Sequence, residues 1–247
     1  STGQWNQDYV DHQGLTLRLQ GRVADGAMRM EDSVRAIPNG PSLKSRFAWS
    51  ADTAANGVRQ TWWFSTDGGA TEQVNFDGLY RRDPAYEVGQ SPPDVVCRER
   101  PAYRALDALL GTWRVSFMGD EVGTATLVAT TGGCLIEETF TDTRTTHPGG
   151  AYRLKALLYY DRYINSWYRV QTDTYGEFHR LGGSVIDGGF RAAGVIPGSD
   201  GKPVNGILDW RPVGTDTLLQ LWSVKAAPVP TIPAYQFPLL WVRVRTP

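Results

Sequence analysis

The sequence predicts an all-β protein: an antiparallel meander that closes into a barrel, with an additional half-unit of similar strands. Three observations predict it. Turn signals recur at Asp25-Gly26, Asn39-Gly40, Asp67-Gly68-Gly69, Asp77-Gly78, Gly132-Gly133, Asp187-Gly188 and Asp200-Gly201, in a chain of 247 residues with 27 Gly and 15 Pro. Short runs of alternating pattern lie between them. Residues 4–30 also align without a gap on residues 166–192, and ten of the 27 pairs are identical. Chance would give about one or two, so the chain contains an internal duplication.

The duplication is lopsided. Its register drifts by two residues further on, where Trp49 meets Trp210, Gln60 meets Gln220 and Trp62 meets Trp222. The second copy is preceded by Tyr103 to Asn165, whereas the first has three residues ahead of it. The expected organisation is a partial barrel unit at 1–82, a linker at 83–100 containing Ser91-Pro92-Pro93, and a complete barrel unit at 101–247. A half-unit leaves two sheet edges unpaired, an aggregation risk. The expectation is that it adds its strands to the complete unit; a homodimer is the alternative.

Each element follows from its pattern. On the first strand, alternation puts Trp5, Gln7, Tyr9 and Asp11 on one face; in the second copy the set is Trp167, Arg169, Gln171 and Asp173. From Val58 to Phe64, Gln60 and Trp62 share a face, opposite Arg59, Thr61 and Trp63. A short helix is predicted over Ala102 to Leu110 from the spacing of Leu106, Leu109 and Leu110. In the last run, Leu239, Trp241, Arg243 and Arg245 oppose Leu240, Val242 and Val244, and the wholly apolar second set is the expected core face.

Composition narrows the function classes. The net charge is −1 with no basic run, which argues against a nucleic-acid partner. No apolar stretch approaches a membrane helix, so no membrane partner is expected. The polar opening Ser1-Thr2-Gly3 carries no signal peptide, and a cytoplasmic location is favoured. Cys97 and Cys134 could pair, but free thiols are the expectation. Neither they nor the three histidines, His12, His147 and His179, have metal-ligand spacing, and no phosphate or dinucleotide motif occurs; no cofactor or metal is expected.

Leu109-Leu110-Gly111-Thr112-Trp113, Gly132-Gly133-Cys134-Leu135-Ile136-Glu137-Glu138, Tyr160-Asp161 and the run from Trp167 to Gly176 resemble the domain of unknown function DUF1579 and related calycin-like barrels. Trp5 to Asp11, Val58 to Trp62 and Phe76 to Tyr80 are similar to the second half of that domain. Gly111-Thr112-Trp113 resembles the Gly-x-Trp of lipocalin-like barrels, whose Trp closes one barrel end. The resemblance implies a barrel with an apolar interior and supplies no reaction.

The chemistry is therefore read from residues. A barrel of about eight to ten strands leaves room for side chains and one small ligand. The candidate ligand-binding set is Arg169, Gln171, Trp167, Tyr9, Gln7, Gln60, Trp62 and Trp222, where rings supply walls and polar groups orientation. Glu138 shares its face with Cys134 and Ile136, so it points inward as a candidate general acid or base; an ion pair with Arg169 is the structural alternative. His179 is the second candidate catalytic residue. Asp11 and Asp173 are read as organising the turns before Gly14 and Gly176. The functional expectation is a cofactor-independent isomerase, cyclase or lyase acting on a small apolar, aromatic or anionic molecule inside the barrel. The alternatives are a non-catalytic carrier of such a ligand and an assembly protein.

Overall fold

The computed structural model describes residues 3–11, 14–37, 39–83, 97–144, 150–198, 202–226 and 235–245. These residues form two compact units. The first is an open antiparallel sheet of β1 (Trp5–Val10), β2 (Thr16–Ala24), β3 (Ala27–Asp32), β5 (Ser42–Asp52), β6 (Gly57–Ser65) and β7 (Gln73–Arg81), adjacent in that order, with the two-residue β4 (Arg35–Ala36) paired to β5.

The second unit is a closed ten-stranded barrel. Its strands are β8 (Gly111–Phe117), β9 (Asp120–Thr130), β10 (Leu135–Asp142), β11 (Arg153–Asp161), β12 (Ser166–Asp173), β13 (Phe178–Ile186), β14 (Gly189–Pro197), β15 (Pro203–Gly214), β16 (Thr217–Ala226) and β17 (Tyr235–Arg243). All are antiparallel neighbours in chain order, and β17 closes the ring on β8, from Leu239↔Phe117 to Arg243↔Trp113. The expectation that the half-unit contributes strands to this barrel is therefore corrected. Strands β8 to β11 supply the four that the path β12 to β17 lacks, which leaves the ring no edge to extend.

The repeated sequences fold with one register. Trp5↔Gly21 and Trp167↔Gly183 are both paired, as are Trp49↔Gln60 and Trp210↔Gln220, and Trp62↔Phe76 and Trp222↔Phe237. The hairpins at Asp25-Gly26 and Asp187-Gly188 both turn through positive φ (52° and 72°; 51° and 73°). Two consecutive left-handed residues define the type I′ turn, whose twist matches that of the strands. Asp77-Gly78 makes no turn; it lies within β7, where Asp77 accepts a hydrogen bond from Arg59 at 2.9 Å. Asp200-Gly201 lies outside the described residues.

One glycine pair explains part of the repeat. A Cβ on Gly21 would meet the Arg29 carbonyl oxygen at 1.8 Å, and one on Gly183 would meet that of Arg191 at 2.0 Å. The neighbouring backbone passes too close for any side chain. Gly183→Ala is expected to destabilise the barrel by about 1–3 kcal/mol, the usual range for overpacking. Chemical denaturation followed by near-UV circular dichroism checks this; an unchanged midpoint would show that the strands can separate at no cost.

One end of the barrel is plugged. The predicted helix over 102–110 resolves into a single turn, α1 (Pro101–Arg104), and a 3₁₀ turn at Asp107–Leu109, which bury Leu106 and Leu109. Trp113 is fully buried and donates from Nε1 to the Leu109 carbonyl at 2.9 Å, while the Arg243 guanidinium lies 4.1 Å from its ring centroid. Arg243 also donates to the carbonyls of Ala108 (2.7 Å) and Leu110.

This latch corrects the reading of the last strand. Trp241 is 3% exposed and packs in the core with Leu239, while Leu240 is 42% exposed. The arginines on the Trp241 face do not enter the core: Arg243 ends at the plug and Arg245 pairs with Asp216. The expectation of free thiols is also corrected. Cys97 and Cys134 form a disulfide with Cα atoms 5.0 Å apart, well within bridging distance. Of the proposed linker at 83–100, residues 84–96 lie outside the described residues. Among the described residues, no helix is long and apolar enough to cross a membrane.

Candidate functional site

The opposite end of the barrel opens into a cavity of about 530 Å³. Alternation along the strands builds it. On β10, Ile136, Glu138, Phe140 and Asp142 point to one side, and on β12 Trp167, Arg169 and Gln171 do the same. Register then sets four residues of adjacent strands side by side: Glu138, Ala156, Gln171 and His179. Ala156 is the small member of this row, and it leaves room for Arg169 to reach Glu138 on the far strand.

These groups form a continuous polar chain inside an aromatic enclosure. Arg169 donates from Nε to Glu138 Oε2 at 2.8 Å and from Nη2 to Oε1 at 2.9 Å, a bidentate pair with both partners at most 3% exposed. Its Nη1 donates to Gln171 Oε1. The Gln171 amide nitrogen lies 3.0 Å from His179 Nδ1. Arginine has no acceptor, so the Gln171 oxygen must face it and the amide NH₂ must face the imidazole. Nδ1 therefore accepts, and the neutral ring carries its proton on Nε2. His179 stacks on Trp222 with centroids 5.9 Å apart, and Arg169 lies 5.5 Å from the Trp210 ring. Phe117, Phe140, Tyr152, Tyr175, Phe237 and Trp241 complete the walls.

The rim carries further charge. Asp142 accepts from Arg144 Nη2 at 2.5 Å and from its backbone N–H at 2.7 Å. Tyr152 donates to Asp173 Oδ2 at 3.1 Å, and burial followed by the Asp173 charge pushes its hydroxyl pKa upward. Asp173 Oδ1 accepts the N–H groups of Tyr175 (2.8 Å) and Glu177 (3.1 Å). The Gly176 N–H bonds the Asp173 carbonyl at 3.0 Å, as Gly14 does that of Asp11, so both aspartates sit at the turns assigned to them.

His179 is 6% exposed, and burial is the main cause that lowers its pKa below the ordinary imidazole value. Glu177 and Asp173 oppose this shift, and Arg169 reinforces it. The unfolded chain then binds a proton at higher pH than the native one. Stability is fully present above the unfolded value of about 6.5 and falls as pH drops from there toward the folded value. His179→Phe is expected to flatten that part of the stability–pH curve. Denaturation midpoints from pH 7.5 to 5 check it; an unaltered slope in the variant would assign the dependence to other groups.

The structure brings Glu138, His179, Arg169, Gln171 and Trp222 together at this cavity. Trp167 is buried in the barrel core beside Tyr160, with centroids 5.8 Å apart, and does not line the cavity. Gln7, Tyr9, Gln60 and Trp62 belong to the first unit. There Tyr9 meets Trp62 at 6.4 Å, Gln60 accepts from the Tyr80 hydroxyl at 2.8 Å, and Gln7 lines a shallow groove with Trp5 and Trp49. His12 and His147 lie outside the described residues. Sequence reasoning missed Phe140 and Asp142, which alternation from Glu138 could have found, and Trp241, which the arginines beside it masked. It also missed Tyr152 and Glu177, which carry no signal of their own.

Among the described residues, no group of three His, Cys, Asp or Glu side chains is placed to hold a metal ion. The chain matches no protein-family model and no curated protein.

Proposed function

We propose that the barrel is a binding protein that carries one small, mainly aromatic molecule in its mouth. The observation that carries this reading is that the cavity pairs its own charges. Both oxygens of Glu138 accept from Arg169, and Asp142 is held by Arg144, so the candidate acid or base is already engaged. What faces the cavity is then mostly ring surface, on a volume that suits a small ligand. The resemblance to DUF1579 and lipocalin-like barrels belongs to this proposal, and the Trp113 plug at the closed end supports it. The Cys97–Cys134 disulfide supports an oxidising compartment over the cytoplasm.

The test uses 2-ethylnaphthalene, a neutral aromatic probe, with tryptophan fluorescence as the readout. The expected result is saturable one-to-one binding that weakens about tenfold in Trp222→Ala, in line with loss of a buried aromatic contact. A linear, unsaturable response would remove the reading.

An enzymatic reading, a cofactor-independent isomerase, cyclase or lyase, is favoured by one observation. Neutral His179 places Nε2 3.2 Å from Glu177, which is half exposed at the mouth and positioned to exchange protons with solvent. Under that reading Glu177→Gln abolishes turnover while binding persists.

A further inference from the structure

We infer that the ligand is uncharged and presents a carbonyl oxygen to the Nε2–H of His179; this rests on the binding reading above. The hydrogen-bond chain that starts at Glu138 fixes the donor. Arg169 orients Gln171, Gln171 orients the imidazole, and the ring is left with its proton on Nε2. That nitrogen is buried, and no acceptor among the described residues bonds it. Glu177 Oε2 lies 3.2 Å away, a marginal contact from a half-exposed side chain that a ligand oxygen would displace. Trp241 Nε1 is a second buried donor on the same cavity with no acceptor among the described residues. Buried donors are normally satisfied, so two of them on residues that line one cavity call for an acceptor oxygen. Gln220, whose Oε1 is likewise unbonded among the described residues, can turn either end of its amide toward a ligand.

Charge decides between a carbonyl and a carboxylate. The lining carries the carboxylates of Glu138, Asp142 and Glu177 against the guanidiniums of Arg144 and Arg169. Both guanidiniums already bind carboxylates, and His179 is neutral. An anionic ligand would enter a lining with a surplus negative charge, whereas a ketone or ester would not.

The experiment compares 2-acetylnaphthalene, 2-ethylnaphthalene and 2-naphthoate on the intact chain at pH 8 by tryptophan fluorescence. The expected result is that the ketone binds at least about tenfold tighter than the hydrocarbon, the difference one buried hydrogen bond makes, and tighter than the carboxylate. In His179→Phe, which keeps a ring against Trp222, the ketone-to-hydrocarbon affinity ratio is expected to fall to about one, whatever the absolute affinities. Equal affinities for ketone and hydrocarbon, an advantage that survives in the variant, or tightest binding of naphthoate would each overturn the inference and leave the binding reading standing. Failure of all three probes would overturn both. A variant-independent measurement is the infrared carbonyl stretch of bound 2-acetylnaphthalene. It is expected below its frequency in cyclohexane, and an unshifted band would overturn the inference.

Discussion

Arg169→Met is expected to destabilise the barrel by about 3–5 kcal/mol, because it leaves the buried Glu138 carboxylate without its bidentate partner. The loss is a desolvation effect more than a packing one, since Met fills much of the same volume. Replacing both partners, as in Glu138→Leu with Arg169→Met, is therefore expected to recover most of the stability. Hydrogen exchange of amides in β10 to β13 reads this locally, without interference from the other unit. If the single variant exchanges like the wild type, the pair contributes little to the fold. If the double variant is as weak as the single, the geometry of the pair matters beyond its charge. Gln171 loses its anchor in either case, so the tautomer of His179 is released and probe selectivity should fall with it.

Removing the Cys97–Cys134 disulfide is the second large effect. The bridge spans 37 residues of sequence. The chain-entropy relation for a loop of that length gives about 4 kcal/mol of stabilisation, acting through the unfolded state. Cys97→Ala with Cys134→Ala is expected to lower the barrel's denaturation midpoint accordingly, and reduction of the wild-type protein should match it once the thiols are exposed. A double variant within about 0.5 kcal/mol of wild type, the range of neutral surface changes, would mean that the plug holds without the bridge.

How far the sequence carried the fold depends on which interactions are local. Type I′ hairpins at Asp25-Gly26 and Asp187-Gly188 need only two residues with positive φ, and so they were legible. The duplicated register was legible for a related reason: Trp5, Gly21 and their counterparts keep identity where backbones crowd. The inward face of β17 was not. Arg243 reads as a surface residue until Leu110, more than a hundred positions away, supplies a carbonyl for it. The disulfide was hidden for the same reason, since its separation along the chain says nothing about distance in space.

The site divides in the same way. Glu138 and Arg169 were legible as charged residues on otherwise apolar faces. The row Glu138–Ala156–Gln171–His179 was not, because it depends on the pairing of four strands. The first copy shows what the duplicated frame specifies by itself. At the positions equivalent to Arg169, Gln171 and His179 it carries Gln7, Tyr9 and Leu17, with the same strand register. Register is thus set by the Trp, Gly and Asp positions, and the polar chain is an addition that the frame tolerates.

The plug has a dynamic consequence. The disulfide, the Trp113 indole bond and the three Arg243 contacts all gather at one end of the barrel axis. Among the described residues, the other end carries hairpin connections and side-chain pairs, such as the turn at Asp173 and the Asp142–Arg144 pair. Thermal opening should therefore run from the mouth inward, like a purse drawn tight at its base. Release of a bound molecule then requires loosening of the hairpins at the mouth and no unfolding of the closed end, so residence time and global stability can vary independently.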